Sequence, residues 1–186
     1  MTYYSIILFV HIGGALGFFV ALGVEWISIR QLRGAATVEH VREWLRVATG
    51  VRRLGMAAML TLLVSGFGMM ALTHSSGAWL MVAFGSLILL SVLAVTLSFK
   101  RIGIITRAMT TEAGPVSASL RDLLRHPLLW IAIQTRVALA LGIVFLMTDK
   151  PDLGGSLLTI GVATVLGLVL ALPIVGRERS QDAPAA

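Results

Sequence analysis

Four ionisable side chains inside or beside long apolar segments are the residues of this sequence that could do chemistry. His11 and Glu25 lie in the first apolar segment, Arg136 lies in the fourth, and His74 follows the second. An ionisable group within a membrane-spanning segment is costly unless it finds a partner, so such residues mark functional sites or packed pairs. Each of the four is therefore a candidate site residue.

His11 and His74 are predicted to lie towards the same side of a membrane, where they could approach each other. Imidazoles from neighbouring helices hold b-type haem in membrane cytochromes, and histidine is the commonest metal ligand. The glycines beside His11 would leave room for a flat macrocycle. The alternative is that His11 is a hydrogen-bonded packing residue and that His74, in a Ser-rich turn, is solvated. His40 and His126 fall in segments on the other side.

Glu25 is predicted to face protein rather than lipid. On a helical wheel it shares one face of the first helix with His11 and with small residues, and the small-residue surface comprises Gly13, Gly14, Gly17 and Ala21. Its predicted partner is Arg136, whose long side chain can extend towards the inner face, with Gln134 and Thr135 adding hydrogen bonds. Such a pair would fix helix packing or form part of a proton or substrate path. A third alternative is that both side chains reach the interface separately.

The composition indicates that lipid surrounds the elements that carry these residues. Hydrophobic residues make up 57% of the 186 residues and charged residues 13%, against about 25% charged in soluble domains. Five stretches reach the roughly 20 residues that a helix needs to cross a bilayer. They are residues 4–29, 54–72, 77–99, 127–148 and 153–176. The predicted fold is an all-α polytopic transmembrane helix bundle of five spans, with residues 1–176 as one domain.

The positions of Lys and Arg predict the orientation of the bundle. Of the 15 basic residues, Arg136 lies within a span and Lys150 lies in a short hairpin, so the other 13 lie on the side of the long connections. Basic loops stay in the cytoplasm. Residues 30–53 and 100–126 are therefore predicted cytoplasmic loops, the N-terminus is predicted outside, and residues 177–186 form a predicted disordered cytoplasmic tail.

The first cytoplasmic loop contains a predicted amphipathic helix. Val38, Val41, Leu45 and Ala48 recur at helical spacing, with charged residues on the opposite face. Thr37 is the predicted N-cap and Gly50 the predicted end. This pattern favours a short helix lying on the inner membrane surface.

Several classes of function are disfavoured by what the sequence lacks. It has no cysteine, which excludes disulfides, thiolate metal sites and iron–sulfur ligation. No nucleotide-binding glycine motif, HExxH motif or catalytic triad pattern occurs. The basic residues follow the ends of the spans, so they predict topology and contact with anionic lipid rather than nucleic-acid binding.

The stretches "LFVHIGGALGFFVALG" and "LTLLVSGFGMM", with the hairpin "MTDKPDLGGSLL", resemble a bacterial family of uncharacterised predicted integral membrane proteins. The chain is also distantly similar to copper-resistance-D-type membrane domains. The resemblance implies a multi-pass protein of the bacterial inner membrane and marks His11, while the copper-resistance type suggests metal handling.

Three functions are compatible with these features. The first is a non-catalytic accessory or structural component of a membrane assembly, with the lipid bilayer and a membrane-protein partner or a second copy as its partners. The second is a redox protein that binds haem b or a metal through His11 and His74. The third is a small proton-coupled transporter that uses Glu25 and Arg136.

Overall fold

The structure, a computed structural model, describes residues 3–74 and 77–181, with side chains described except at 111 and 173–181. Within this part of the chain the backbone is almost entirely helical. Its helices are α1 (Tyr3–Gly34), α2 (Val38–Thr73), α3 (Ala78–Leu93), α4 (Lys100–Ala108), α5 (Ala118–Arg125), α6 (Pro127–Asp149) and α7 (Leu153–Gln181). A π-helical segment, Ala94–Phe99, joins α3 to α4, and a 3₁₀ turn, Met109–Thr111, follows α4.

Five helical stretches are long and apolar enough to cross a membrane, which confirms the predicted all-α class and the predicted number of candidate spans. They are Tyr3–Gly34, Val38–Thr73, Ala78–Ala108, Ala118–Asp149 and Leu153–Leu172. The last helix continues to Gln181. Residues 177–181 of the predicted disordered tail are therefore helical, and residues 182–186 lie outside the described residues.

Short polar side chains cap the N-termini of two of the long helices. Thr37 adopts an extended backbone before α2, and its hydroxyl accepts a hydrogen bond from the backbone N–H of His40 at 3.4 Å. Asp152 precedes α7, and its carboxylate accepts from the N–H of Gly155 at 2.8 Å. These bonds satisfy amides that lack a partner within the first turn of a helix. The N-cap predicted at Thr37 is confirmed.

Two of the helices are followed by a residue in the left-handed backbone conformation. His74 follows α2 with φ 51°, and Lys150 follows α6 with φ 50°. The N–H of Lys150 donates to the carbonyl of Leu146 at 3.1 Å, which satisfies one of the last carbonyls of α6. The short connections predicted around these two residues therefore begin with an abrupt change of backbone direction.

The chain divides into two compact units. Unit 1 comprises residues 1–77 and 106–121, and unit 2 comprises residues 78–105 and 122–186. In unit 1, α1 and α2 run side by side in opposite directions. Ile7 lies against Gly68, Gly14 against Thr61, and Ala21 against Gly55.

Small residues set the contact between α1 and α2. A methyl group at Gly14 would lie 3.1 Å from Thr61 Cγ2, closer than ordinary packing, whereas a methyl group at Gly17 would lie 3.6 Å from Ala58 Cβ. The predicted small-residue surface is thus confirmed for Gly14, Gly17 and Ala21. Gly13 is exposed, and a methyl group added to it would have no atom within 4 Å, so its inclusion was wrong. It lies one residue, or 100°, away from the contact face.

The end of unit 1 that contains the α1–α2 connection has a core of its own. Leu32, Val38, Val41, Met109 and Val116 are all buried there. The segment at 36–38 pairs with the segment at 114–116 through two hydrogen bonds. The N–H of residue 38 donates to the carbonyl of residue 114 at 2.9 Å, and the N–H of residue 116 donates to the carbonyl of residue 36 at 3.0 Å. Two backbone bonds therefore join connections far apart in sequence.

The amphipathic segment after Thr37 is part of a long helix. Its apolar face is buried as predicted, but α2 continues through Gly50 to Thr73 over 36 residues. The predicted end at Gly50 and the separate surface helix were therefore wrong. A glycine within a helix costs only about 1 kcal/mol relative to alanine, and the buried face before it and the apolar run after it favour continuation.

In unit 2, α6 packs against α3, the π-helical segment and α7. Its contact with α7 is closest where two glycines meet the opposite helix. A methyl group at Gly142 would lie 3.0 Å from Ala163 Cβ, and one at Gly167 would lie 2.6 Å from the Cα of Thr135. The second distance is to backbone, which no side-chain rotation can relieve. Gly167 therefore allows the two helix backbones to touch.

We expect Gly167→Ala to destabilise the protein by about 1–3 kcal/mol, the usual cost of forcing a methyl group into a packed site. Gly161→Ala in the same helix is the matched control, because nothing lies within 4 Å of its added methyl group. That control should be neutral or slightly stabilising through its helix propensity. Thermal unfolding in mild detergent measures both. Equal midpoints for the two variants would contradict the close α6–α7 contact.

Candidate functional site

His11 lies on the face of α1 that contacts α2. Its Nδ1 is 2.9 Å from the hydroxyl oxygen of Ser65, and a methyl group at Gly66 would lie 3.6 Å from its ring. The hydroxyl of Ser65 donates to the carbonyl of Thr61. The contact between the His11 imidazole and the Ser65 hydroxyl therefore links α1 to α2.

His74 occupies a different level of unit 1. It is exposed and follows the last residue of α2, whereas His11 lies beside Ser65 and Gly66. Gly66 and His74 are separated by eight positions, which is about 12 Å along a helix axis at 1.5 Å per residue. The structure does not bring the two imidazoles to one level, which counts against their binding one iron or metal ion. Among the described residues, no group of three or more His, Asp or Glu side chains could hold a metal.

Glu25 is buried within the protein, with 8% of its surface exposed. The prediction that it faces protein is confirmed. Its neighbours along the same face, Ala21, Leu22, Ser28 and Ile29, are buried as well. Ser28 has no exposed surface, and its hydroxyl donates to the carbonyl of Val24 at 2.7 Å. The half of α1 nearer the α1–α2 connection thus has a packed face that contains a carboxylate.

Arg136 is buried in unit 2, with 5% of its surface exposed. Its Nη1 is 3.4 Å from the hydroxyl oxygen of Ser98, which lies in the π-helical segment and has no exposed surface. π-Helical turns occur often at functional sites, and they leave the regular ladder of helix hydrogen bonds interrupted. The contact joins the guanidinium on α6 to that irregular segment.

The predicted pairing of Glu25 with Arg136 stays a prediction, because the two residues belong to different units. Thr135 was predicted to add a hydrogen bond to this pair. Within the described residues its hydroxyl is buried without a hydrogen-bond partner, and its backbone packs against Gly167. The buried face of α6 at this point is therefore used for close contact with α7.

Ser98 was missed by the sequence analysis. A signal was present, because Ser86, Leu90, Ala94 and Ser98 recur every four residues and all are buried. This stripe of mainly small residues marks the packed face of the third candidate span. The stripe is hard to recognise in the sequence, because the apolar residues around it suit contact with lipid or with protein equally well.

His126 also has a role that the sequence did not reveal. Its Nε2 is 2.8 Å from Nη2 of Arg101, and its Nδ1 is 3.3 Å from the backbone N–H of Leu128. The Nδ1 contact places His126 as the N-cap of α6, and Nε2 lies beside the guanidinium of Arg101. The ring joins α4 to the start of α6 within unit 2.

We expect Ser65→Ala to lower the free energy of unfolding by about 0.6 kcal/mol, the mean value for side-chain hydrogen bonds between membrane helices. Ser91→Ala is the matched control. Ser91 also donates to the carbonyl four residues earlier, at 2.9 Å to Leu87, but it has no histidine contact. Unfolding by denaturant in mixed micelles measures the difference. A loss for Ser65→Ala no larger than that for Ser91→Ala would show that the His11 bond does not stabilise unit 1.

Comparison with known proteins assigns no family to this chain. No family model matches the sequence, and no curated protein or solved structure matches it significantly. The resemblance to uncharacterised bacterial membrane proteins and to copper-resistance-D-type domains therefore stays a prediction. Any functional conclusion must come from the geometry of the helices themselves.

Proposed function

We propose that this protein is a non-catalytic integral membrane protein that acts as an accessory or structural component of a membrane assembly. The observation that carries the proposal is the use of polar side chains between helices in packing. His11 bonds to Ser65 across the α1–α2 contact, and Arg136 bonds to Ser98 between α6 and the π-helical segment. Both contacts join helices within a unit, which is a structural use of polar groups.

The exposed surface supports a role in assembly. Large apolar side chains remain exposed along all five candidate spans, including Phe9 (76%), Val64 (72%), Met81 (75%) and Leu158 (68%). Such surface suits lipid or the apolar helices of another membrane protein. The proposed partners are therefore the bilayer and either a second membrane protein or another copy of this chain.

The proposed location is the bacterial inner membrane, with the N-terminus outside and the C-terminus inside. The excess of 13 basic residues over one supports this orientation. In α2 the charged part, with Arg42, Arg46, Arg52 and Arg53, lies at the same end of unit 1 as the connection from α1. That end would then lie in the cytoplasm.

Reporter fusions test the orientation. We expect alkaline phosphatase to be inactive and a cytoplasmic fluorescent protein to be bright when each is fused after Gln181. The same pair fused after Lys150 in a truncated chain should give the reverse pattern, because that hairpin is on the opposite side. An active phosphatase after Gln181 would invert the proposed topology.

Gentle extraction tests the proposed function. We expect the protein in mild detergent or native nanodiscs to have a native mass greater than that of one chain, because an assembly component retains its partner. The same sample should show no Soret band and no stoichiometric metal when cells are supplied with haem, iron and copper. A strictly monomeric, partner-free particle would contradict the assembly role. A Soret band lost in His11→Ala and in His74→Ala would instead favour the redox function.

A further inference from the structure

Aromatic side chains mark two levels on α1. Tyr3 and Tyr4, which are 84% and 41% exposed, lie at its start, and Trp26 lies in its second half. Between Tyr4 and Trp26 there are 22 positions, or about 33 Å along the helix axis. Tyr and Trp concentrate at the two interfaces of a bilayer, whose hydrocarbon core is about 30 Å thick. The spacing on α1 therefore matches the two edges of such a core.

The apolar part of α2 has the same length. Residues 54–72 carry no charge, and Arg53 and His74 flank them. The 21 positions between these two residues correspond to about 32 Å along the helix axis. Each helix of this pair thus contains one stretch that fits the thickness of the hydrocarbon core.

The two stretches end at a common level. Ala21 of α1 lies against Gly55 of α2. Trp26 is about 8 Å beyond this contact along α1, and Arg52 and Arg53 are about 5 Å and 3 Å beyond it along α2, in the same direction. Residues on both helices therefore mark one edge of the core within about 5 Å of each other.

Three exposed arginines direct their guanidinium groups to this level. Helical side chains are tilted towards the N-terminus of their own helix. Because α1 and α2 run in opposite directions, Arg30 is tilted back towards Trp26, whereas Arg52 and Arg53 are tilted away from the apolar stretch. Cζ of Arg30 lies 5.8 Å from the centroid of the Trp26 ring. The three cations thus reach the layer directly outside the hydrocarbon, where headgroups occupy about 5–8 Å.

Two further exposed arginines on α2 lie beyond this layer. Arg46 and Arg42 precede Leu54 by 8 and 12 positions, which is about 12 and 18 Å along the axis. The helix is continuous here, so these residues cannot return to the membrane surface as a separate helix would. Attraction between exposed charges fades over about 8 Å at physiological ionic strength. Arg42 and Arg46 are therefore an internal comparison for Arg52 and Arg53.

We propose that Trp26, Arg30, Arg52 and Arg53 form a headgroup belt that binds the phosphates of anionic phospholipids, while the part of α2 before Gly50 projects into water. Guanidinium groups form strong hydrogen bonds with phosphate oxygens, and an indole suits the boundary between headgroups and hydrocarbon. The carboxylate at this level, Glu25, is buried, which leaves the belt cationic. The inference rests on the proposed function, since it specifies how the proposed integral membrane protein contacts its bilayer.

Cysteine labelling tests the boundary, because the chain contains no cysteine of its own. Val47→Cys and Leu60→Cys replace apolar residues of the same helix that are 40% and 62% exposed. In membranes made permeable to both faces, a charged maleimide should label Val47→Cys several-fold faster, because thiolate forms in water and not in hydrocarbon. Equal labelling of the two would overturn the boundary, since Leu60 is the more exposed residue in the protein itself.

Lipid retention tests the headgroup belt. Native mass spectra of the full chain, released from nanodiscs of equal phosphatidylglycerol and phosphatidylcholine, should show several-fold preference for phosphatidylglycerol. Neutralising Arg52 and Arg53 together, as Arg52→Gln and Arg53→Gln, should lower that preference by about fivefold or more, the effect of removing a cation near an anionic surface. Arg42→Gln with Arg46→Gln is the matched control, because it removes the same charge from the same helix. It should change the preference by less than about twofold.

Three results would overturn the headgroup belt. Equal losses in the two double variants would show that the preference follows net charge alone. Equal retention of both lipids by the unmodified protein would show that the belt does not select anions. Displacement of the lipid by excess inorganic phosphate would assign the belt to free phosphate. Elution of each variant as a monodisperse peak confirms that it is folded. The number of chains in the same spectra tests the assembly role independently of these outcomes.

Discussion

Close packing of helices at small residues is the constraint on which each unit depends. Where lipid is the solvent, apolar surface gains little by leaving it, so helices associate through close van der Waals contact. In unit 1 that contact is made at Gly14, Gly17 and Ala21, and in unit 2 at Gly142 and Gly167. Other large side chains, many of them leucine and valine, remain exposed on the outer faces of the helices.

Polar side chains are placed where this contact brings helices together. Ser65 receives His11 one turn from the Gly14–Thr61 contact, and Ser98 receives Arg136 where α6 meets the π-helical segment. Each serine also offers a hydroxyl small enough not to separate the helices. The same requirement for close approach therefore determines where hydrogen bonds between helices can form. Two candidate site residues, His11 and Arg136, make their hydrogen bonds at such places.

Much of the fold could be predicted from sequence, because hydropathy reports directly on which segments suit an apolar solvent. Composition and periodicity predicted the five candidate spans, the N-cap at Thr37 and the packing of Glu25 against protein. They did not predict the continuity of α2 through Gly50, the pairing of residue 37 with 115 or the contact between Arg136 and Ser98. These depend on which helices become neighbours, and a glycine, a serine or a connection carries no local mark of its distant partner. The sequence also carried no mark of the contact between His11 and the hydroxyl of Ser65 on α2.

The uninterrupted course of α2 has a mechanical consequence for unit 1. A helix of 36 residues is about 54 Å long, well beyond the roughly 30 Å of a hydrocarbon core. Its charged end is anchored by the backbone bonds at 36–38 and 114–116, and its far end is His74. Because α1 contacts α2 from the level of Ala21 and Gly55 to that of Ile7 and Gly68, α2 cannot tilt without carrying α1 with it.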